Sequence, residues 1–265
     1  MENPQGSPAV SSWSPARTCP FLLEAGDVDV WRAGLDEGGG NEADWAILSE
    51  EEQARARRYL HARRRHQFVL GRAMARRALG RYLNLSPESL TVGIGEQGKP
   101  FLENGPIENP YRFNLSHSGE RVVLAVARGV EVGVDVEKVR PKQEYLSLAR
   151  RFFSEREVAA LEALEEPWRF RAFFCCWARK ESFLKARATG LSESLSLFSV
   201  SLDPREPARL LELKIEGDRP SQYWITDLPM EEDFHVALTT TPPPRQVRYY
   251  DWEWEPEPDV PEKRG

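Results

Sequence analysis

Residues 126–141, VARGVEVGVDVEKVRP, contain an alternating segment, GVDVE, at residues 133–137. Apolar residues alternate with other residues here, which predicts a β-strand whose successive side chains point to opposite faces. Asp135 and Glu137 therefore share one face, and Val134 and Val136 share the other. Neighbouring carboxylates repel each other unless a cation or a shared proton lies between them. The stretch predicts a strand that holds a cation on its polar face.

Two helical blocks lie on either side of this strand. The first begins at Ser49, and the second spans residues 154–187 with an interruption near Pro167. Each block opens on Ser-x-x-Glu, the capping-box pattern, with Ser49 and Glu52 in the first and Ser154 and Glu157 in the second. Segments with strand patterns precede and follow both blocks, so we predict an α+β protein.

The order of strand, helices and strands occurs twice, which predicts two similar pseudo-symmetric halves with the active site at their interface. At an offset of 106 residues, VDVW at residues 28–31 aligns with VDVE at residues 134–137. Where the second half has Glu137 and Glu181, the first has Trp31 and Arg76. We therefore expect one half to supply carboxylates and the other to supply cations.

The domain organisation follows from composition and from this repeat. We predict a disordered Ser/Pro-rich tail over residues 1–18 and a Pro/Glu-rich tail over residues 255–265. Between them we expect an N-terminal half over residues 19–128 and a C-terminal half, which carries the metal carboxylates, over residues 129–254.

Composition limits the class of protein. The chain has 265 residues, of which 40% are apolar and 29% charged, and no apolar run approaches the ~20 residues that cross a bilayer. Its N-terminus lacks the basic and apolar regions of a signal peptide, so we expect a cytoplasmic protein without membrane attachment. Three cysteines indicate neither a disulfide framework nor a zinc site. A net charge of −6 argues against a general nucleic-acid binder.

Ten arginines lie between Arg55 and Arg81. They are typical of a solvated helix face, because arginine favours helices and its stem covers apolar surface. They also fit an anion site, because the guanidinium group matches phosphate geometry. The residues leave both interpretations open.

Two other motifs suggest chemistry that their context does not support. GIGEQG, residues 93–98, matches a dinucleotide-binding pattern, but KPFLENGPIENP follows it and cannot form the required helix. A hairpin or loop that leaves Lys99 free to reach a ligand is favoured. In NLSHSG, residues 114–119, Ser116 and His117 point to opposite faces of an extended chain, so they do not form a nucleophilic pair.

The second helical block places Glu181 and Lys185 one turn apart within a strongly apolar segment. Buried charges need partners, and so do Asp135 and Glu137. A divalent ion bound by Asp135, Glu137 and Glu181 satisfies both needs, and all-oxygen ligands favour Mg²⁺. Lys185 is then close to phosphate oxygens. The residues predict a Mg²⁺–diphosphate site, and they leave open whether it serves group transfer, hydrolysis or nuclease cleavage.

Six segments resemble the motifs of Sfp-type 4'-phosphopantetheinyl transferases. In order along the chain they are RRYLHARRRHQFVLGRAMAR, GKP, FNLSHSG, VGVDVEKVRP, RRFFSEREV and WARKESFLKARATGLS. The resemblance covers roughly residues 49–200. It implies a pseudo-two-fold α+β monomer that binds coenzyme A between its halves. It also implies Mg²⁺-dependent transfer of 4'-phosphopantetheine to a serine of an apo acyl or peptidyl carrier protein, with release of 3',5'-ADP.

The resemblance also assigns roles by position. It implies that Asp135, Glu137 and Glu181 bind the metal. For the reaction we expect Glu181, directly or through a metal-bound water, to accept the serine proton, and Lys185 and His117 to offset charge on the leaving group. The coenzyme A contacts that the resemblance implies are Arg55, Lys99, Ser116, His117 and Lys185, and we expect a neighbouring arginine, Arg57 or Arg58, to supply the second basic residue. The chain departs from the pattern at Glu52, where a second basic residue is expected, and at Ala188, where the motif has glycine. Residues 138–153 are the expected carrier-docking surface.

Two alternatives remain from the residues themselves. Clustered carboxylates with lysine also suit a Mg²⁺-dependent nuclease or phosphohydrolase. The second alternative is a non-catalytic module that binds coenzyme A or a carrier protein.

Overall fold

The computed structural model describes residues 13–15, 18–35, 40–95, 98–104, 110–140, 144–188 and 194–252. Helices in this part are α1 (Glu42–Ala46), α2 (Glu50–Arg57), α3 (Ala62–Leu83), α4 (Tyr145–Phe152), α5 (Glu155–Ala163) and α6 (Trp168–Arg187). Strands in this part are β1 (Ser14–Pro15), β2 (Asp27–Gly34), β3 (Val92–Ile94), β4 (Pro100–Leu102), β5 (Tyr111–Ser118), β6 (Arg121–Arg128), β7 (Glu131–Lys138), β8 (Phe198–Val200), β9 (Leu210–Leu213), β10 (Trp224–Leu228), β11 (Phe234–Thr241) and β12 (Gln246–Asp251). The mixture of helices and strands confirms the α+β prediction.

Both predicted capping boxes are present. The Ser49 hydroxyl accepts the Glu52 N–H, and the Glu52 carboxylate accepts the Ser49 N–H. Ser154 and Glu157 make the same pair of bonds at the start of α5. The interruption near Pro167 is also confirmed, because α5 ends before this residue and α6 begins directly after it.

The larger strands form two sheets. One has the strand order β1-β12-β2-β6-β5, and the other has the order β10-β11-β7. Two further hairpins are β3–β4 and β8–β9. The hairpin β3–β4 pairs Ile94 with Pro100, which confirms the predicted hairpin in place of a dinucleotide-binding turn and helix.

The ends of the described chain are held on the first sheet. Strand β12, within the predicted C-terminal half, pairs in parallel with β2 of the predicted N-terminal half. Strand β1 pairs with β12, and the Trp13 indole N–H donates to the Pro229 carbonyl oxygen at 2.7 Å. Residues 13–15 of the predicted N-terminal tail therefore lie on this sheet, and the Trp13 ring packs against Tyr249.

Three apolar clusters place the helices on the outer faces of the sheets. Helix α3 packs on the first sheet around Trp31 and Met74. Helix α6 packs on the second sheet and on the β8–β9 hairpin, and this cluster includes Phe183, Phe198 and Ile225. The third cluster lies between strands of the two sheets and includes Val28, Val30, Val123, Val134, Val136 and Val236. The predicted alternation of β7 is therefore present, with its valines in the core and its carboxylates on the face that meets α6. None of the described helices has the length and apolar character needed to span a bilayer.

Three of the ten arginines are buried, and they form ion pairs inside the N-terminal half. Arg76 is 1% exposed and donates to Glu52 at 2.8 Å and to the Leu90 carbonyl oxygen at 2.8 Å. Arg77 pairs with Asp44, and Arg72 lies 3.8 Å from Glu52. The expectation that Arg76 serves the active site is wrong, because the buried capping glutamate binds its guanidinium group.

The helix α6 ends at a residue with unfavourable backbone geometry. Ala188 has φ 56° and ψ 25°, the left-handed conformation that glycine adopts without steric cost. We expect Ala188→Gly to raise the free energy of unfolding by about 0.5–1 kcal/mol. Urea denaturation measures this change. The matched control Ala186→Gly, two residues earlier and inside the same helix, should lower the free energy of unfolding by about 1 kcal/mol. A destabilised Ala188→Gly would contradict the interpretation.

Candidate active site

Strand β7 and helix α6 approach each other closely at Gly133. A Cβ atom at this position would lie 2.8 Å from the Lys185 carbonyl carbon and would overlap the Ser182 carbonyl oxygen and the Ala186 nitrogen. Glycine inside a strand commonly marks such a close backbone approach. The missing side chain at Gly133 therefore lets α6 lie directly on the face of β7 that carries Asp135 and Glu137.

Asp135 is the centre of the site. It is 5% exposed, and its Oδ1 accepts hydrogen bonds from Lys185 Nζ at 2.6 Å and from Ser116 Oγ at 2.8 Å. Its Oδ2 is buried and has no hydrogen-bond partner. A buried carboxylate oxygen without a partner is costly, so this atom is oriented for a ligand that the protein itself does not supply.

Glu137 and Glu181 are both influenced by the charge of Asp135. Burial and the Asp135 carboxylate raise the pKa of Glu137 to about 7. The same two causes raise the pKa of Glu181 above its ordinary value. The structure thus brings the three predicted carboxylates into one electrostatically coupled group, in which the negative charges are incompletely neutralised by Lys185.

These three residues fit a divalent cation in donor chemistry. They offer oxygen ligands only, and Asp135 Oδ2 has no other partner, which suits a hard ion such as Mg²⁺. Lys185 Nζ, which also lies 3.2 Å from the Val134 carbonyl oxygen, is the cation that contacts Asp135 directly. The donor atoms of the group and the neighbouring lysine are thus of the types that a divalent cation and an anionic ligand require.

A different trio has the tightest grouping of ligand atoms. Among the described residues, Cys175, Asp227 and His235 are the set whose ligand atoms all lie within 4.8 Å of one another. Arg179 Nε already donates to Asp227 at 2.9 Å, and His235 Nε2 lies 3.0 Å from the same oxygen. Burial acts to lower the pKa of His235, but the neighbouring Cys175 and Asp227 outweigh this effect and raise the pKa to about 10. We interpret this group as an ion-pair network that fixes α6 to β10 and β11.

Ser116 and His117 lie on opposite faces of β5, as predicted. The Ser116 hydroxyl is buried against Asp135, and Lys185 Nζ donates to it at 3.1 Å. His117 is exposed. The surrounding protein atoms, Lys185 and Arg64 lower the pKa of His117 below its usual value. These effects favour the neutral ring, and Arg64 is a nearby cation.

Lys99 is not free, contrary to the sequence-based prediction. Its Nζ lies 3.2 Å from Glu131 Oε2 and 3.5 Å from the Ala186 carbonyl oxygen, and burial lowers its pKa. Lys99 lines a cavity of about 550 Å³ together with residues of β4, β5 and β7 and the end of α6, among them Phe101, Tyr111, Arg112, Glu131 and Ala188. A ligand that enters this cavity competes with Glu131 for the lysine.

The two arginines assigned to coenzyme A lie at the end of α2. Arg55 and Arg58 are exposed, and the Arg55 guanidinium group lies 5.3 Å from the Phe68 ring centre. Glu52, where a second basic residue was expected, is buried and bound by Arg76. The departure at Glu52 thus has a structural role in capping α2 and neutralising a core arginine.

The raised pKa of Glu137 predicts how magnesium acts on stability. Because the folded-state pKa lies near 7 and the ordinary value is 4.5, folding favours the protonated form. Without metal, this residue's contribution to stability therefore falls as pH rises from 4.5 through 7. Magnesium needs the deprotonated form, so we expect its apparent affinity to be about tenfold weaker at pH 6 than at pH 8.

Thermal unfolding with and without Mg²⁺ checks this prediction. The increase in Tm on adding the ion should be larger at pH 8 than at pH 6, and Glu137→Gln should remove most of the difference. An equal increase in Tm at both pH values in the wild type would show that Glu137 does not control metal binding.

The sequence of this chain is similar to a family of known proteins. Residues 131–239 match the family model described as the 4'-phosphopantetheinyl transferase superfamily, and residues 41–129 match the model of a 4'-phosphopantetheinyl transferase N-terminal region. The chain is 36% identical over 200 residues to the 4'-phosphopantetheinyl transferase HetI of a Nostoc species, which covers 75% of this chain and 84% of that protein. It is 34% identical over 162 residues to the 4'-phosphopantetheinyl transferase Sfp of Bacillus subtilis, covering 61% and 70% of the two chains. A human L-aminoadipate-semialdehyde dehydrogenase-phosphopantetheinyl transferase is 27% identical over 219 residues, covering 76% and 71%.

Proposed function

We propose that this chain, which belongs to the 4'-phosphopantetheinyl transferase superfamily, transfers 4'-phosphopantetheine from coenzyme A to a serine of an apo acyl or peptidyl carrier protein. The observation that carries the proposal is the group of Asp135, Glu137 and Glu181 beside Lys185, with Asp135 Oδ2 buried and unpartnered. A diphosphate is the part of coenzyme A that such a group can hold, because it needs both a divalent cation and a lysine.

The proposed reaction exchanges one phosphorus–oxygen bond for another. The carrier serine oxygen bonds to the phosphorus that bears pantetheine, and the bond from that phosphorus to the bridging oxygen breaks. The leaving group is 3',5'-ADP, which takes the electron pair of the broken bond. When bound, Mg²⁺ would polarise the phosphoryl oxygens and offset their charge. Asp135, Glu137 and Glu181 are the residues that would hold it.

The remaining steps belong to the chain's own side chains. Glu181 accepts the serine proton, and its raised pKa improves it as a base. Lys185 lies beside Asp135 and can donate to oxygens of the leaving diphosphate. His117, whose pKa is lowered in the free protein, is positioned to gain a proton when an anionic phosphate approaches. The chain needs no nucleophile of its own, because the acceptor serine belongs to the carrier protein.

We also propose that the two halves are structural duplicates with the site between them. The same element order supports this proposal: β2, three helices and two hairpins in the first half, then β7, three helices and two hairpins in the second. Strand order β2-β6-β5 in one sheet corresponds to β7-β11-β10 in the other. In each half a buried ion pair joins the capping glutamate of the second helix to the third helix: Glu52–Arg76 at 2.8 Å and Glu157–Lys180 at 2.7 Å.

The proposed carrier-docking surface, residues 138–153, contains α4. Arg150 and Arg151 are exposed on this helix, and its buried side holds Ala149 against α6. Residues 141–143 of the surface lie outside the described part of the chain. Arg150 pairs with Glu162 of α5 at 2.7 Å, so Arg151 is the cation of these two arginines that the proposal relies on for a carrier protein that is acidic around its serine.

Incubation with a panel of apo carrier proteins, coenzyme A and Mg²⁺ tests the function, with intact mass as the readout. We expect one carrier to gain a single phosphopantetheinyl group and 3',5'-ADP to appear in equal amount. Release of ADP or cleavage of nucleic acid without a mass gain would favour the phosphohydrolase or nuclease alternative. Binding of coenzyme A or carrier without either product would favour a non-catalytic module.

A further inference from the structure

We propose that Ser118 is a positioning residue that fixes one carboxylate oxygen of Glu137 and leaves the other for the divalent cation. The inference rests on the proposed function. Ser118 Oγ donates to Glu137 Oε2 at 3.3 Å and accepts the Lys138 N–H at 3.0 Å. One hydroxyl group thus connects the backbone of β7 with the side chain that this strand presents to α6.

The contact is part of a regular ladder between two strands that belong to different sheets. Strands β5 and β7 are not paired through their backbones. Instead, Asn114 Oδ1 accepts the Val134 N–H at 3.0 Å, and Ser116 Oγ accepts the Val136 N–H at 3.3 Å. With Ser118 and Lys138, each acceptor meets a donor twenty residues further along the chain. Alternate polar side chains of β5 therefore supply the hydrogen bonds that an edge strand normally lacks.

The ladder has a serine beside each of the two predicted metal carboxylates of β7 and an asparagine beside Gly133, which has no side chain. Ser116 and Ser118 meet positions that carry carboxylates, and each hydroxyl both accepts from the backbone and donates to the carboxylate. Asn114 bonds the Val134 N–H, and Gly133 just before it has no side chain to orient. At Asp135 the outcome is visible, because Oδ1 is held by Ser116 while Oδ2 is left without a partner. Ser118 gives Glu137 the equivalent division between its two oxygens.

Ser118 is itself held in place by the hairpin that follows it. It pairs with Arg121 across the turn, and Gly119 in that turn has φ 57°. Gln67 on α3 donates its side-chain N–H to the Gly119 carbonyl oxygen at 2.7 Å. The serine is therefore fixed by the first half of the chain, and it restricts the rotamers of a flexible glutamate in the second half. Such restriction lowers the entropic cost of metal binding.

Binding of Mn²⁺ alone, followed by electron paramagnetic resonance of the free ion, tests the inference without any turnover. We expect Ser118→Ala to weaken Mn²⁺ binding by about tenfold or more. Ser118→Thr, which keeps the hydroxyl, should remain within about twofold of the wild type, on the same reasoning about outer-shell hydrogen bonds. The matched control is Asn114→Ala, which removes a rung of the same ladder at a position without a carboxylate. It should lower Tm as Ser118→Ala does and leave Mn²⁺ affinity within about twofold.

The outcomes separate this inference from the proposed function. Equal Mn²⁺ affinity of the wild type and Ser118→Ala would overturn the role of Ser118 while leaving the metal site in place. Equal weakening by Asn114→Ala and Ser118→Ala would show that the ladder acts only on folding. A wild-type protein that binds no Mn²⁺ would contradict both the metal site and the positioning role.

Discussion

Replacing Asp135 by asparagine is expected to lower kcat/KM for phosphopantetheine transfer by about 10²–10³-fold or more. Asparagine has nearly the same shape, and its amide oxygen can still accept from Ser116 and Lys185, which bind Asp135 Oδ1 at 2.8 and 2.6 Å. It lacks the negative charge and the second carboxylate oxygen. The loss therefore reports on charge at the site and not on packing. Initial rates with an apo carrier protein at several Mg²⁺ concentrations measure it.

The same substitution should not destabilise the protein. The Asp135 carboxylate is one of the causes that raise the pKa of both Glu137 and Glu181, so its removal relieves repulsion within the group. The substitution also removes the charge that pairs with Lys185 at 2.6 Å, so we expect the Tm of Asp135→Asn in metal-free buffer to stay close to that of the wild type. Asp203→Asn, which changes a carboxylate that binds Arg205 away from this group, is the matched control and should keep full activity. An active Asp135→Asn, or one that fails to fold, would contradict the assignment.

The second large effect is expected from Gly133→Ala. The added Cβ would meet backbone atoms of α6 at Ser182, Lys185 and Ala186, and backbone cannot move aside as a flexible side chain can. We expect the free energy of unfolding to fall by about 3 kcal/mol or more, with loss of transfer activity in the fraction that remains folded. Guanidinium denaturation and initial rates measure the two effects.

Gly71→Ala is the matched control for this prediction. Gly71 is also buried, but a Cβ there would lie 3.6 Å from Val122 and 3.7 Å from Leu115, which is ordinary contact. Because alanine favours helix, this substitution should leave stability unchanged or raise it by up to about 1 kcal/mol. Similar destabilisation by both substitutions would show that the close approach of α6 and β7 is not special.

Alternation and capping patterns were sufficient to predict much of the architecture. The alternation in β7 correctly separated Val134 and Val136, which lie in the core, from Asp135 and Glu137. Both capping boxes formed at the predicted serines. These features depend on local spacing along one strand or one helix turn, so the sequence alone contains them.

Other features depend on which distant segments meet, and the sequence patterns did not reveal them. Arg76 looked like a candidate anion-binding cation, but a buried glutamate from a different helix binds it. Lys99 looked free, but Glu131 lies 3.2 Å away after folding. Strand β12 crosses to the first sheet, which no local spacing indicates. Gly133 did carry a signal, because glycine within a valine-rich strand indicates close backbone approach.

The roles of Asn114 and Ser118 were also present in the sequence in outline. The alternation N-x-S-x-S places three polar side chains on one face of β5, and the chemical context drew attention only to Ser116 and His117. That face lies against β7, where each polar side chain accepts a backbone N–H. That β7 lies opposite this face depends on how the two sheets pack together, which no local sequence pattern indicates.

The most direct test of the central claim is a crystal structure with coenzyme A and Mn²⁺, with the metal located by its anomalous scattering. We expect one strong peak within coordination distance of oxygens of Asp135, Glu137 and Glu181, in contact with the coenzyme A diphosphate. A peak at Cys175, Asp227 and His235 instead, or a bound diphosphate with no metal at the three carboxylates, would contradict it.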